Sequence, residues 1–194
     1  MSRAPSLFEE YPPGFRYRAG FLPPADEAAL LSEIAGVAFA DFEMRGVVAR
    51  RRVAFFGESY DGGTAAPLPA FLLPLRAAVA DWARVEPAAF AMALVNEYPP
   101  GAPIGWHRDA PQYGIVAGVS LVTACRMKFR PYVRPGVREA ARPARRATHE
   151  IALEPRSAYL MTGDARSAYE HHIPPVSALR YSVTFRTLRP RSGA

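Results

Sequence analysis

Phe90-Ala-Met-Ala-Leu-Val-Asn-Glu-Tyr98, then Pro99-Pro-Gly-Ala-Pro103, then Ile104-Gly-Trp-His-Arg-Asp109, is the stretch on which the fold turns. The apolar run Phe90 to Val95 reads as a strand, and a Pro/Gly cluster closes it. Asn96 and Tyr98 lie two apart at its end and share a face, because strand side chains alternate. The same pattern continues downstream: Val116–Thr123, Arg126–Tyr132, His149–Leu153, Ser157–Met161, Tyr169–Ile173 and Tyr181–Leu188 are further short strands punctuated by Gly and Pro. Such a series predicts a sandwich or barrel. Upstream the period changes. Pro23-Pro24 followed by Asp26, Glu27, Leu30, Leu31 and Ile34 predicts a helix over 25–34. Val47 to Phe56 reads as a strand, and Gly57 to Pro69 as a loop. Leu68, Phe71, Leu72, Leu75, Val79 and Trp82 recur at three- and four-residue steps and predict a second helix. Residues 1 to 20 have no clear period. The expectation is one mostly-β domain over 1–194, a double-stranded β-helix (jelly roll) buttressed by helices. Its helices fall in 1–89 and its strand-rich core in 90–190.

The chemistry gathers at His107 and Asp109, two apart, with further histidines at His149, His171 and His172. Two imidazoles and one carboxylate can hold Fe(II) on one face and leave the other positions open for a co-substrate and O2. His171 and His172 are adjacent, so on a strand they face opposite ways. Arg180-Tyr-Ser-Val-Thr-Phe-Arg186 adds an alternation in which Arg180, Ser182, Thr184 and Arg186 share one face. Two arginines inside a barrel need an anion, because an unpaired buried charge is costly. A dicarboxylate such as 2-oxoglutarate would supply it. Asn96 offers an amide and Tyr98 a hydroxyl, both suited to a carboxylate oxygen.

Asn96-x-Tyr98, His107-x-Asp109 eleven residues after the Asn, a distal His and Arg180-x5-Arg186 together resemble the AlkB family of Fe(II)/2-oxoglutarate-dependent dioxygenases. The resemblance is good over 90–188 and loose before that. It implies the jelly-roll fold. It selects His171 as the third ligand beside His107 and Asp109, since Tyr169-Glu-His171-His-Ile173 is similar to the family's aromatic-x-His-x-Ile segment. It implies that Arg180 and Arg186 bind the carboxylates of 2-oxoglutarate, with Asn96 and Tyr98 assisting. Arg52-Val-Ala-Phe55-Phe56-Gly57 and Tyr60 resemble the substrate lid, where an aromatic stacks on a flipped base. Arg52, Phe56 and Tyr60 are therefore substrate-binding candidates. Trp106 is another, either beside the metal or in the core. The implied activity is oxidative dealkylation of alkylated nucleobases in DNA or RNA. The chain departs from the repair members in carrying Pro111 where they have an acid. Glu154 to Arg166 is also similar to the branch that hydroxylates tRNA uridines. Stable hydroxylation of a tRNA base or protein side chain, and a non-catalytic basic nucleic-acid-binding module, are the alternatives.

The chain has 194 residues, 49% hydrophobic and 22% charged, enough for one domain with a sizeable core. Net charge is +6, which favours a polyanionic partner. However, 23 of the 24 basic residues are Arg, as a GC-rich coding sequence would also give. Arg134, Arg138, Arg142, Arg145 and Arg146 sit in a Pro-broken segment that reads as a basic hairpin loop. Its arginines either contact nucleic-acid phosphates or are simply solvated. The single Cys125 excludes an internal disulfide framework. No apolar run reaches the roughly 18 residues of a membrane span, and the N-terminus lacks the apolar core of a signal peptide. The expectation is a cytoplasmic monomer with no membrane contact.

Overall fold

The structure, a computed structural model, describes residues 11–44, 47–58, 66–133 and 148–189. Among these the strands form two antiparallel sheets. Strands β1 (Phe15–Arg18), β2 (Ala40–Met44), β3 (Val47–Gly57), β4 (Phe90–Tyr98), β6 (Tyr113–Leu121), β9 (Ala158–Met161) and β11 (Arg180–Leu188) make the larger sheet. Strands β5 (Ile104–His107), β7 (Cys125–Pro131), β8 (His149–Leu153) and β10 (Tyr169–Ile173) make the smaller. Their orders are β1-β9-β6-β11-β4-β3-β2 and β5-β10-β7-β8. Residues before Phe90 thus contribute edge and flanking strands to the same sheet as the later ones. Two helices, α1 (Pro24–Ile34) and α2 (Leu73–Ala83), and a one-turn helix α3 (Gly163–Ser167) complete the fold.

Two apolar layers hold these parts together, and strand alternation decides which residue enters which layer. Leu94 and Tyr98 of β4 join Phe15, Val116, Met127, Phe129, Ile151 and Leu153 between the two sheets. Ala93 and Val95 of the same strand join Leu30, Ile34, Leu75 and Val79 of the helices on the other face. On β11, Val183 and Phe185 go to the helix layer. Arg180, Ser182, Thr184 and Arg186 face the inter-sheet pocket. Helix α1 starts at Pro24 with Asp26 and Glu27 in its first turn, where acids favour the positive end of the helix dipole. At Gly118 an added Cβ would lie 2.3 Å from the Tyr159 ring, so a residue without a side chain is what lets that ring cross the sheet into the pocket.

Both predicted helices and all eight predicted strands are present, and β4, β8 and β10 have the expected bounds. Four short elements differ. β1, β2, β5 and α3 are four or five residues each, and the sequence pattern did not announce them. They carry barely one period of side chains and are held by their partners: β1 by β9, β2 by β3, β5 by β10. No helix among the described residues is long and apolar enough to cross a membrane.

Candidate active site

Between the sheets, His107, Asp109 and His171 converge with Arg180, Arg186, Asn96, Tyr98, Ser182, Thr184 and Tyr159 on one pocket. The pairing of β5 with β10 puts His107 directly opposite His171, with ring centroids 4.2 Å apart. Asp109 follows β5, and its Oδ2 lies 3.8 Å from His171 Nε2. Nδ1 of His107 donates to the Gly105 carbonyl at 2.9 Å, which leaves its Nε2 with the lone pair.

Burial and charge set the protonation states. His171 is pushed down to about 3 by burial, with His107 adding to the effect. Burial also lowers His107. Both rings are therefore neutral at pH 7, and the His171–Asp109 contact is not an ion pair. For Asp109 burial alone would favour the acid, but the Arg186 guanidinium overcomes it and holds the carboxyl well below the usual carboxylate range. Arg186 donates to Asp109 Oδ1 through Nε at 3.1 Å and Nη2 at 2.9 Å, and to Thr184 through Nη1.

The two arginines are not equivalent, although the sequence assigned them one task. The anion for Arg186 is Asp109, within the chain. Arg180 is 1% exposed; its Nε and Nη2 donate to the Ser120 hydroxyl, at 3.3 and 3.1 Å, and its face lies on the Tyr98 ring at 4.7 Å. Its Nη1 is buried without a hydrogen-bond partner. A buried, unsatisfied cationic donor on a residue that lines a pocket is the chemistry of a carboxylate anchor. Asn96 and Tyr98 approach the Ser182 hydroxyl only at 3.4 and 3.5 Å, so both retain capacity for another partner.

No group of three His, Cys, Asp or Glu among the described residues is gathered as a ready metal cluster. The donor set nevertheless suits Fe(II): two neutral imidazoles and one ionised carboxylate in one pocket, with both imidazoles on paired strands. His149 and His172 do not line this pocket. His172 is on the outer face of the smaller sheet, where its ring packs against Trp106 at 5.0 Å and its Nδ1 meets the Ile104 carbonyl at 2.6 Å.

The substrate candidates divide by strand face. Arg52 and Phe56, expected as substrate contacts, do not line this pocket: the pleat of β3 turns them to its other face. Arg52 binds Glu97 at 2.7 Å, and Phe56 packs on the helix layer. The pocket-side residue is their neighbour Arg51, whose guanidinium lies over Phe42 at 4.4 Å and whose Nε is buried without a partner. Alternation puts Arg51 on the face of Val53 and opposite to that of Arg52, and the pairing of β3 with β4 makes that face the pocket side. Trp106 sits outside the pocket too, between His172 and Arg130, whose guanidinium is 4.3 Å from its ring. Tyr60 and the basic segment with Arg134, Arg138, Arg142, Arg145 and Arg146 lie outside the described residues.

Residues 43–186 match a family described as the 2OG-Fe(II) oxygenase superfamily. The chain belongs to that superfamily. Within it, the chain is 27% identical over 147 residues to "Alkylated DNA repair protein ALKBH8 homolog" of Arabidopsis thaliana, covering 66% of this chain and 42% of that one. It is 31% identical over 108 residues to "Uncharacterized protein L905" of Acanthamoeba polyphaga mimivirus, covering 49% of this chain and 47% of that one. The chain thus spans less than half the length of each of these relatives. Among solved structures, OsALKBH1 superposes with a TM-score of 0.64 at 15% identity, over 92% of this chain and 100% of that one. A Pseudomonas putida prolyl-4-hydroxylase superposes with a TM-score of 0.60 at 15% identity, over 91% and 94%. At that identity both likenesses speak for the fold, the expected double-stranded β-helix. The AlkB resemblance is borne out as a distant one, and Fe(II) and 2-oxoglutarate are the groups for which the superfamily is named.

Proposed function

We propose that this chain is an Fe(II)/2-oxoglutarate-dependent oxygenase that oxidatively dealkylates a nucleobase in DNA or RNA. The observation that carries the oxygenase chemistry is that one inter-sheet pocket is lined by His107, Asp109 and His171 together with Arg180, whose Nη1 is unsatisfied. His107, Asp109 and His171 hold iron, and Arg180 takes a carboxylate of 2-oxoglutarate with Tyr98 and Asn96 beside it. Iron and 2-oxoglutarate, when bound, supply the oxidising chemistry with O2. The chain's own residues do the rest. Arg186 keeps Asp109 ionised and oriented. Leu94, Val116, Met127, Met161 and Ile173 wall the pocket and exclude water. Arg51 offers a charged donor on the pocket side of β3, beside Phe42, and suits a planar group with an acceptor edge. Hydroxylation of an alkyl carbon on a base nitrogen gives a hemiaminal. Its C–N bond breaks as the hydroxyl proton is lost, releasing an aldehyde and the restored base.

Support for the nucleobase over another substrate comes from the Arabidopsis relative's description as an alkylated DNA repair protein and from the net charge of +6. The test is mass spectrometry of alkylated DNA and RNA oligonucleotides after incubation with iron and 2-oxoglutarate. Loss of the alkyl mass with release of aldehyde supports the reading. A stable gain of one oxygen, or turnover only on a peptide, would replace it with hydroxylation by the same chemistry.

A further inference from the structure

Arg166 is 4% exposed, yet among the described residues no carboxylate forms an ion pair with it. A buried guanidinium without an acid is expensive unless its donors are used. Arg166 uses its two Nη groups on one short piece of backbone, while its Nε has no partner among the described residues. Nη1 donates to the Asp109 carbonyl at 3.1 Å, and Nη2 donates to the carbonyls of Ala110 and, at 3.2 Å, Tyr113. The three acceptors run from Asp109 itself through the turn after it to Tyr113, the first residue of β6. The turn is also closed locally, from Tyr113 N to Ala110 O at 3.1 Å.

The element that carries Arg166 is itself anchored. Thr162 N and Ala165 N donate to the carbonyls of Gly14 at 2.9 Å and Pro13 at 2.7 Å, which ties α3 to the start of β1. A second arginine crosses the other way. Arg108 Nη1 donates to the Ser167 carbonyl at 3.0 Å, and its guanidinium lies 3.5 Å from the centre of the Tyr132 ring. Asp109 therefore sits between two latches, one from each neighbouring segment. Its carboxylate, meanwhile, is gripped by Arg186 from β11.

We propose that Arg166 is a positioning residue for Asp109: it fixes the peptide planes on either side of the turn, and with them the direction in which the Asp109 carboxylate leaves the backbone. A neutral side chain could fill the same space, but it could not reach three carbonyls at once; the planar fork of Arg can. The inference rests on the reading of Asp109 as a metal ligand. It predicts that Arg166 acts on the metal site through geometry, at a distance, beyond whatever it contributes to folding.

Co(II) is the probe, because its visible ligand-field band reports the geometry of its ligands. Wild type, Arg166→Met, Arg166→Lys and a control, Leu75→Ala, are titrated with Co(II), and the melting temperature of each metal-free protein is recorded. Leu75 is buried in the helix layer and touches none of this. Arg166→Met is expected to weaken Co(II) binding about 10- to 100-fold, the usual range for residues that orient a ligand, and to change the band. Arg166→Lys keeps the charge but not the fork, and should fall between. Leu75→Ala should lower the melting temperature and leave affinity and band alone. Wild-type Co(II) affinity and band in Arg166→Lys, or in Arg166→Met, would reduce Arg166 to a brace and overturn the proposal, whatever the melting temperature. Should Arg166→Met fail to fold, Arg166→Lys alone decides. Wild-type protein that takes up no Co(II) overturns the metal-site reading itself.

Discussion

Replacing Arg180 by Lys isolates the carboxylate anchor from every other part of the site. Arg180 hydrogen-bonds Ser120 and lies on the Tyr98 ring, and its Nη1 is an unsatisfied donor of the pocket, while the Asp109 carboxylate belongs to Arg186. Lys brings a single ammonium where a planar fork matched two oxygens, so the charge survives and the bidentate contact does not. Loss of a hydrogen bond to a charged group costs about 1.5–3 kcal/mol, or roughly 10- to 150-fold in binding. The assay is calorimetric titration of 2-oxoglutarate into Mn(II)-loaded protein under nitrogen. The dissociation constant should rise by that factor while the Mn(II) affinity, measured separately, stays within about twofold. Arg180→Met sharpens the test. It removes a charge that is 1% exposed and replaces it with apolar volume, an exchange often neutral or stabilising, so the metal-free melting temperature should hold or rise while 2-oxoglutarate binding is lost. Wild-type affinity for 2-oxoglutarate in both variants would refute the reasoning, because the unsatisfied donor would then have no ligand to satisfy it.

Arg186→Lys should behave differently: it loosens the double contact to Asp109, so Mn(II) affinity should itself fall about 10-fold or more, and unchanged Mn(II) binding would contradict that role. Lowering pH should destabilise the metal-free protein through His171, whose folded value of about 3 lies below the ordinary 6.5. Between those values the unfolded chain binds a proton that the folded one refuses. Stability should then drop by about 1.4 kcal/mol per pH unit as pH falls through that window and be indifferent to His171 above it; urea titrations of wild type and His171→Gln at several pH values measure the difference. Gly118→Ala sets a Cβ 2.3 Å from the ring of the buried Tyr159, and such overpacking costs about 1–3 kcal/mol. Calorimetry should show a melting temperature lower by about 2–12 °C, and an unchanged value would mean that the ring moves freely.

Much of the site was legible because strands impose a strict alternation. Knowing only that Arg180 to Arg186 and Asn96 to Tyr98 are extended is enough to put four polar residues of one and two of the other on a common face, and the pocket contains all six. The adjacency of His171 and His172 similarly forces one in and one out. What stayed hidden depends on pairing across the fold. That Asp109 is the counter-ion of Arg186, so that of the two β11 arginines Arg180 is the one left with an unsatisfied donor, follows from a contact over 77 residues of sequence. Arg51, rather than Arg52, faces the pocket because β3 pairs with β4 in one register, Arg52 opposite Glu97. The sequence alone assigns Arg166 no role of its own; only the docking of α3 against Asp109 and the turn after it gives its guanidinium three carbonyls. β1 and β5, at four residues each, have too little sequence to declare a period and exist because a partner strand is there to pair with.

The central claim is that this pocket is a metal and 2-oxoglutarate centre, and the most direct measurement is the anomalous diffraction of crystals grown with Mn(II) and 2-oxoglutarate under nitrogen. The account expects one strong peak bonded to His107, Asp109 and His171, with density for the co-substrate running from the metal to Arg180. A peak bonded to His149 or His172, or a pocket empty of metal at saturating Mn(II), would contradict it.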